Sequence, residues 1–107
     1  MDNFFNSLKM SIYLSEEKKH GKVVLYKYIL EKIEKFGIEG VSVIKGMAGY
    51  GRNHHIHTIE VWRLSTNLPV IIEVVSDKDK IVSLIDELKK EIKDILIVLE
   101  PVHVIRL

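Results

Sequence analysis

The sequence predicts an α+β domain with the ferredoxin-like plan, β-α-β-β-α-β, in which a four-stranded antiparallel sheet carries two helices on one face. Three observations lead there. Segments with a two-residue apolar period alternate with segments of helical period. Their order puts one helix after the first strand and another before the last. Later strands are apolar on both parities, so the face without helices also needs cover.

Each element can be justified in turn. Leu8, Met10, Ile12 and Leu14 recur every second residue, with Lys9, Ser11 and Tyr13 between them, as in a strand buried on one side. From Lys22 to Phe36 the period changes, and Leu25, Tyr28, Ile29, Ile33 and Phe36 share one helical stripe. Gly37 follows, where a left-handed residue ends many helices. Val41 to Met47 reads as a second strand, and Ile56 to Leu64 alternates as well. The break "STNLP" leads into "VIIEVVS", a nearly continuous apolar strand. Ser76 and Asp79 have the spacing of a capping box, with Asp in place of Glu, and open a helix that turns Ile81, Leu84, Ile85, Leu88 and Ile92 inward. Asp94 ends that helix. Residues 95–107 close the chain as a strand, with Pro101 marking an edge or a bulge.

The two-sided strands predict a partner surface. Val70, Ile72 and Val74 lie on one parity, and Ile71 and Val75 flank Glu73 on the other. In the last strand Ile95, Ile97 and Leu99 oppose Leu96 and Val98. A second chain is the most economical cover for the face without helices. The alternative is that the ribbon of residues 56–64 folds back over it.

Composition narrows the function classes. A chain of 107 residues implies one domain, here residues 8–107 after a short lead-in of residues 1–7. A chain of this length buries about two-thirds of its unfolded surface. Hydrophobic residues at 47% and charged residues at 29% describe a soluble globular protein. A net charge of +1 supplies no long-range field of the kind that marks nucleic-acid or membrane binders. The absence of cysteine excludes thiolate chemistry and cysteine-ligated zinc, and suits a reducing compartment. With no run resembling a signal peptide or a membrane span, the expected location is cytoplasmic, without membrane insertion.

Residues 45–62, "KGMAGYGRNHHIHTIEVW", concentrate the chemistry. The spacing G-x-x-G-x-G follows a strand but leads into another strand, whereas a phosphate loop aims its ligand at a helix N-terminus. Gly46, Gly49 and Gly51 can serve as positive-φ positions of a bent hairpin. They can also form a backbone nest for an anion, with Arg52 as a fixed charge. The run superficially resembles an RNA-recognition signature but lacks the further aromatics that stack bases, so no nucleic-acid partner is expected. His54, His55 and His57 offer imidazoles to zinc, copper or nickel, which is the alternative reading. No nucleophile–base order, no H-E-x-x-H and no carboxylate pair in an obvious cleft is recognisable, so the chain is not expected to be an enzyme.

The chain from about Leu8 to Leu107 resembles the PII-like family known as domain of unknown function 190, within the nitrogen-regulatory PII superfamily. The resemblance rests on "KMSIYLSEEKKHGKVVLYKYIL", "GIEGVSVIKGMAGYGRNHHIHT", "LPVIIEVVSDKDKI" and the closing "VHVIRL". It implies ferredoxin-like subunits in a homotrimer with sheets facing inward. It also implies a signalling protein that binds a small ligand, anionic or a nucleotide, in clefts between subunits, and that presents a loop to a partner protein. Residues 49–57 occupy the place of that loop. Gly46, Gly49, Tyr50, Gly51, Arg52 and His57 are therefore the candidate ligand residues, and no cofactor is specified. The glycine- and lysine-rich phosphate loop that PII proteins carry before the last strand has no counterpart in "KKEIKDILIVLE". The alternative function is a trimeric metal binder similar to CutA, using His54, His55 and His57.

Overall fold

The structure, a computed structural model, describes residues 7–38, 40–49, 57–58 and 68–107. Its elements in chain order are β1 (Ser7–Ser15), β2 (Lys19–His20), β3 (Val23–Val24), α1 (Leu25–Lys35), β4 (Val41–Lys45), β5 (Ala48–Gly49), β6 (His57–Thr58), β7 (Pro69–Asp77), α2 (Lys78–Lys89) and β8 (Leu96–Val102). The main sheet has the order β4-β7-β1-β8, and every pairing in it is antiparallel. This is the ferredoxin-like arrangement.

Register decides which parity is buried. Ile12 stands opposite Ile72 on one side and Ile97 on the other, and Met10 opposite Val74 and Leu99. These residues share the face covered by both helices, where Met10, Ile12, Ile29, Ile33, Ile72, Ile81 and Leu84 form the core. Leu25, Ile29 and Ile33 come from the predicted stripe of α1, and Ile81, Leu84 and Leu88 from that of α2. At roughly 1.5–3 kcal/mol per fully buried large aliphatic side chain, this layer is the main source of stability.

The opposite parity faces away from the helices. It carries Tyr13, Ile71, Val75, Leu96 and Val98, and Leu96 is 61% exposed. Lys9 stands on the same face between Glu73 at 3.4 Å and Glu100 at 3.7 Å, a triad that spans three strands. The expected second apolar face is therefore present, interrupted by one charged cluster. Pro101 falls in β8, an edge strand of the sheet, where a missing N–H is tolerated.

Four expectations need correction. The first helix starts at Leu25 and not at Lys22, because Lys19–His20 and Val23–Val24 pair as a small hairpin. Gly21, with φ of +63°, makes its turn possible. The second concerns Ser76, which belongs to β7; Asp77 is the residue before α2 and makes no side-chain capping bond, so the capping box does not form. The third is the reach of the last strand, which ends at Val102 and leaves 103–107 outside the sheet. Finally, β4 ends at Lys45, and Ala48–Gly49 pairs instead with His57–Thr58. Of the strand expected over 56–64, only His57 and Thr58 lie within the described residues. Gly37 behaves as expected: with φ of +74° it follows α1, and its N–H donates to the Glu34 carbonyl at 3.0 Å.

A side-chain clamp ties α1 to the end of α2. The Tyr28 hydroxyl donates to Glu91 Oε1 at 2.7 Å, and Lys32 Nζ approaches the same oxygen at 3.2 Å. Lys32 also lies 5.7 Å from the centre of the Tyr28 ring, and the His20 ring packs against that ring at 4.9 Å. The hydrogen bond from Tyr28, with that from Lys32, holds the Glu91 carboxyl below its usual range. A carboxylate whose folded pKa is depressed adds stability above its unfolded pKa and loses it as pH falls through the folded value. Thermal unfolding followed downward from the ordinary carboxylate range, near pH 4.3, should show falling stability. The acid limb of Glu91→Gln should be flatter than that of the parent, and identical limbs would remove Glu91 from the account.

Candidate functional site

The glycine- and histidine-containing run leaves the sheet at the Ser15 end of β1. Its base is firmly tied. The Gly46 N–H donates to the Pro69 carbonyl at 2.8 Å, and the Glu16 N–H donates to the Leu68 carbonyl at 2.8 Å. The Lys45 ammonium pairs with the Glu16 carboxylate, and that bond raises the Lys45 pKa. The ladder of β5 and β6 then sets Gly49 opposite His57. Two of the sequence-predicted residues are thus brought into register, and Gly46 is fixed at the base. Tyr50, Gly51, Arg52, His54 and His55 lie outside the described residues. Among the described residues, no group of three His, Asp or Glu side chains is placed to hold a metal ion.

A second feature lies at the other end of the sheet. Ser7, Gly37, Gly40, Asp77, Lys80 and Arg106 border a polar cleft of about 230 Å³. It forms where β1 begins, where β7 passes into α2, and where the chain leaves β8. The Lys80 ammonium donates to the Gly37 carbonyl at 3.4 Å, across the mouth of the turn after α1. Nine residues of β1 separate this cleft from the base of the loop, about 25 Å at a strand's rise per residue. Within one subunit the two features do not meet.

Sequence reasoning did not single out Lys80 or Arg106. Lys80 looks like any lysine on a solvated helix face, and Arg106 sits in a segment read as strand. Only the meeting of four chain segments, the turn after α1 included, puts them beside one cleft.

The family comparison agrees with this fold. A model described as "DUF190: Uncharacterized ACR, COG1993" matches residues 7–104. The chain belongs to DUF190. A UPF0166 protein of Aquifex aeolicus (strain VF5) is 35% identical to the DUF190 chain over 98 residues, covering 92% of each. UPF0166 protein MJ1524 of Methanocaldococcus jannaschii is 38% identical over 96 residues, covering 89% of this chain and 88% of that one. Among solved structures, CPII from Thiomonas intermedia K12, a nitrogen regulatory PII-like protein, superposes with a TM-score of 0.68 in its complex with ADP and bicarbonate. That match has 15% identity and covers 94% of this chain and 89% of CPII. A PII-like signalling protein from Thermus thermophilus, TTHA0516, gives a TM-score of 0.60 at 15% identity, covering 95% of this chain and 92% of that one. At such identity the likeness is one of fold, and the DUF190 chain has the PII-like fold.

Proposed function

We propose that this chain is a PII-like regulatory protein of the cytoplasm that acts by binding and not by catalysis. It assembles as a homotrimer through its open sheet face, takes a small ligand in the clefts between subunits, and presents residues 49–57 to a partner protein. The observation that carries this reading is the apolar face of Tyr13, Ile71, Val75, Leu96 and Val98 on a PII-like subunit. Burying such a face against copies of itself removes it from water and opens clefts between neighbours. CPII, which shares the fold, binds ADP and bicarbonate. The anchored base at Lys45, Gly46 and Pro69 supports a recognition loop, since a fixed base lets a loop tip vary without disturbing the core.

Thermal unfolding with ADP, AMP, bicarbonate and divalent cations tests the reading. A ligand that binds only the folded protein, at a hundred times its dissociation constant, adds about 2.7 kcal/mol of stability. A shift with a nucleotide or with bicarbonate is the expected result. Stabilisation by divalent cations alone would transfer the function to the metal-binding alternative at His54, His55 and His57. No shift with any of them would remove the ligand-binding reading.

A further inference from the structure

Lys80, in the first turn of α2, and Arg106, in the segment after β8, line one cleft from two separate elements. Neither forms an ion pair among the described residues. Lys80 meets the Gly37 carbonyl, a neutral acceptor at the long distance of 3.4 Å, which orients the ammonium without neutralising it. Asp77 borders the same space, so the lining carries one cation in excess. The volume, about 230 Å³, lies below the ~300 Å³ at which pockets begin to hold drug-sized ligands. A small polar cleft with surplus positive charge selects a compact anion.

The two cations differ in what they offer. A guanidinium presents a planar fork that matches two oxygens of a carboxylate or phosphate, whereas an ammonium is a point charge with rotatable donors. We infer that this cleft binds a compact dianion, phosphate or a short dicarboxylate, with Arg106 forking one pair of oxygens and Lys80 meeting another. This cleft lies within one subunit, apart from the intersubunit sites proposed above, and adds to them a second site with its own ligand class. Asp77 opposes the bound charge and weakens the site.

Calorimetric titration of the full chain at constant ionic strength, with inorganic phosphate and separately with succinate, tests this against a chloride control. One of the two probes should bind saturably, and which one does distinguishes the phosphate from the dicarboxylate. Lys80→Met and Arg106→Met should each weaken binding about tenfold or more, through the loss of a charge-assisted bond. Lys80→Arg should restore much of it, and Asp77→Asn should tighten it. These last two variants keep the test decisive if a methionine variant folds poorly. Absence of saturable binding for both probes overturns the inference, as does parent-like affinity in either methionine variant. Nucleotide stabilisation that persists in Lys80→Met, with no phosphate or succinate binding, would overturn it while leaving the ligand-binding function intact.

Discussion

Ile72→Ala is expected to lower the unfolding free energy by about 2–5 kcal/mol, the range for emptying a large aliphatic site in a core that cannot fully collapse around the gap. Ile72 is completely buried, opposite Ile12 and Val43 in the sheet and beneath the helices. Its neighbours there include Ile29, Ile33, Ile81 and Leu84 in one contiguous cluster. Chemical denaturation at fixed protein concentration is the measurement, because the proposed assembly would make stability concentration-dependent. A loss below about 1 kcal/mol, well short of that range, would mean that β7 is not the centre of the core.

The adjacent residue should behave quite differently. Ile71→Asp is expected to leave the subunit folded and to dissociate the proposed homotrimer. Ile71 stands opposite Tyr13 and Ile44 on the face away from the helices. In an isolated subunit a carboxylate there remains hydrated. Within an assembly it is buried without a partner, at a cost of at least about 1–3 kcal/mol in every copy. Light scattering during size-exclusion chromatography should give the parent three times the 12.4 kDa chain mass and the variant a single one, with helical circular dichroism unchanged. A parent that elutes as a monomer at micromolar concentration would sink the homotrimer and favour the segment 56–64 as the cover of that face.

This contrast shows how much the pattern of residues conveys. Period and parity separate Ile72 from Ile71 without any knowledge of register, because side chains alternate across a strand. They do not say which parity meets the helices. The stripes of α1 and α2 are equally legible, since Leu25, Ile29, Ile33, Ile81, Leu84 and Leu88 repeat at helical spacing and are buried. The start of α1 is not. Lys22 to Val24 carry no residue that bars a helix, and their pairing with Lys19–His20 instead depends on Gly21 and on the backbone bond from Leu25 N–H to the Lys18 carbonyl. The cap of α2 fails for a related reason. Ser76 remains in the sheet, paired with Leu8, so it is not at the helix boundary that its spacing implies.

By itself the sequence determined the class of fold, the helix stripes that enter the core and the presence of two apolar sheet faces, because these follow from local periodicity that every residue carries. Gly37 was legible too, since a left-handed helix end strongly favours glycine. Tertiary structure alone decided that Gly49 stands opposite His57 in a ladder, that Glu16 and Lys45 lock the base of the loop, and that Lys80 and Arg106 border one cleft. In each case the partners are brought together by strand register and by the turns between elements. Such pairings depend on how the whole chain closes on itself, and no spacing along the chain encodes them.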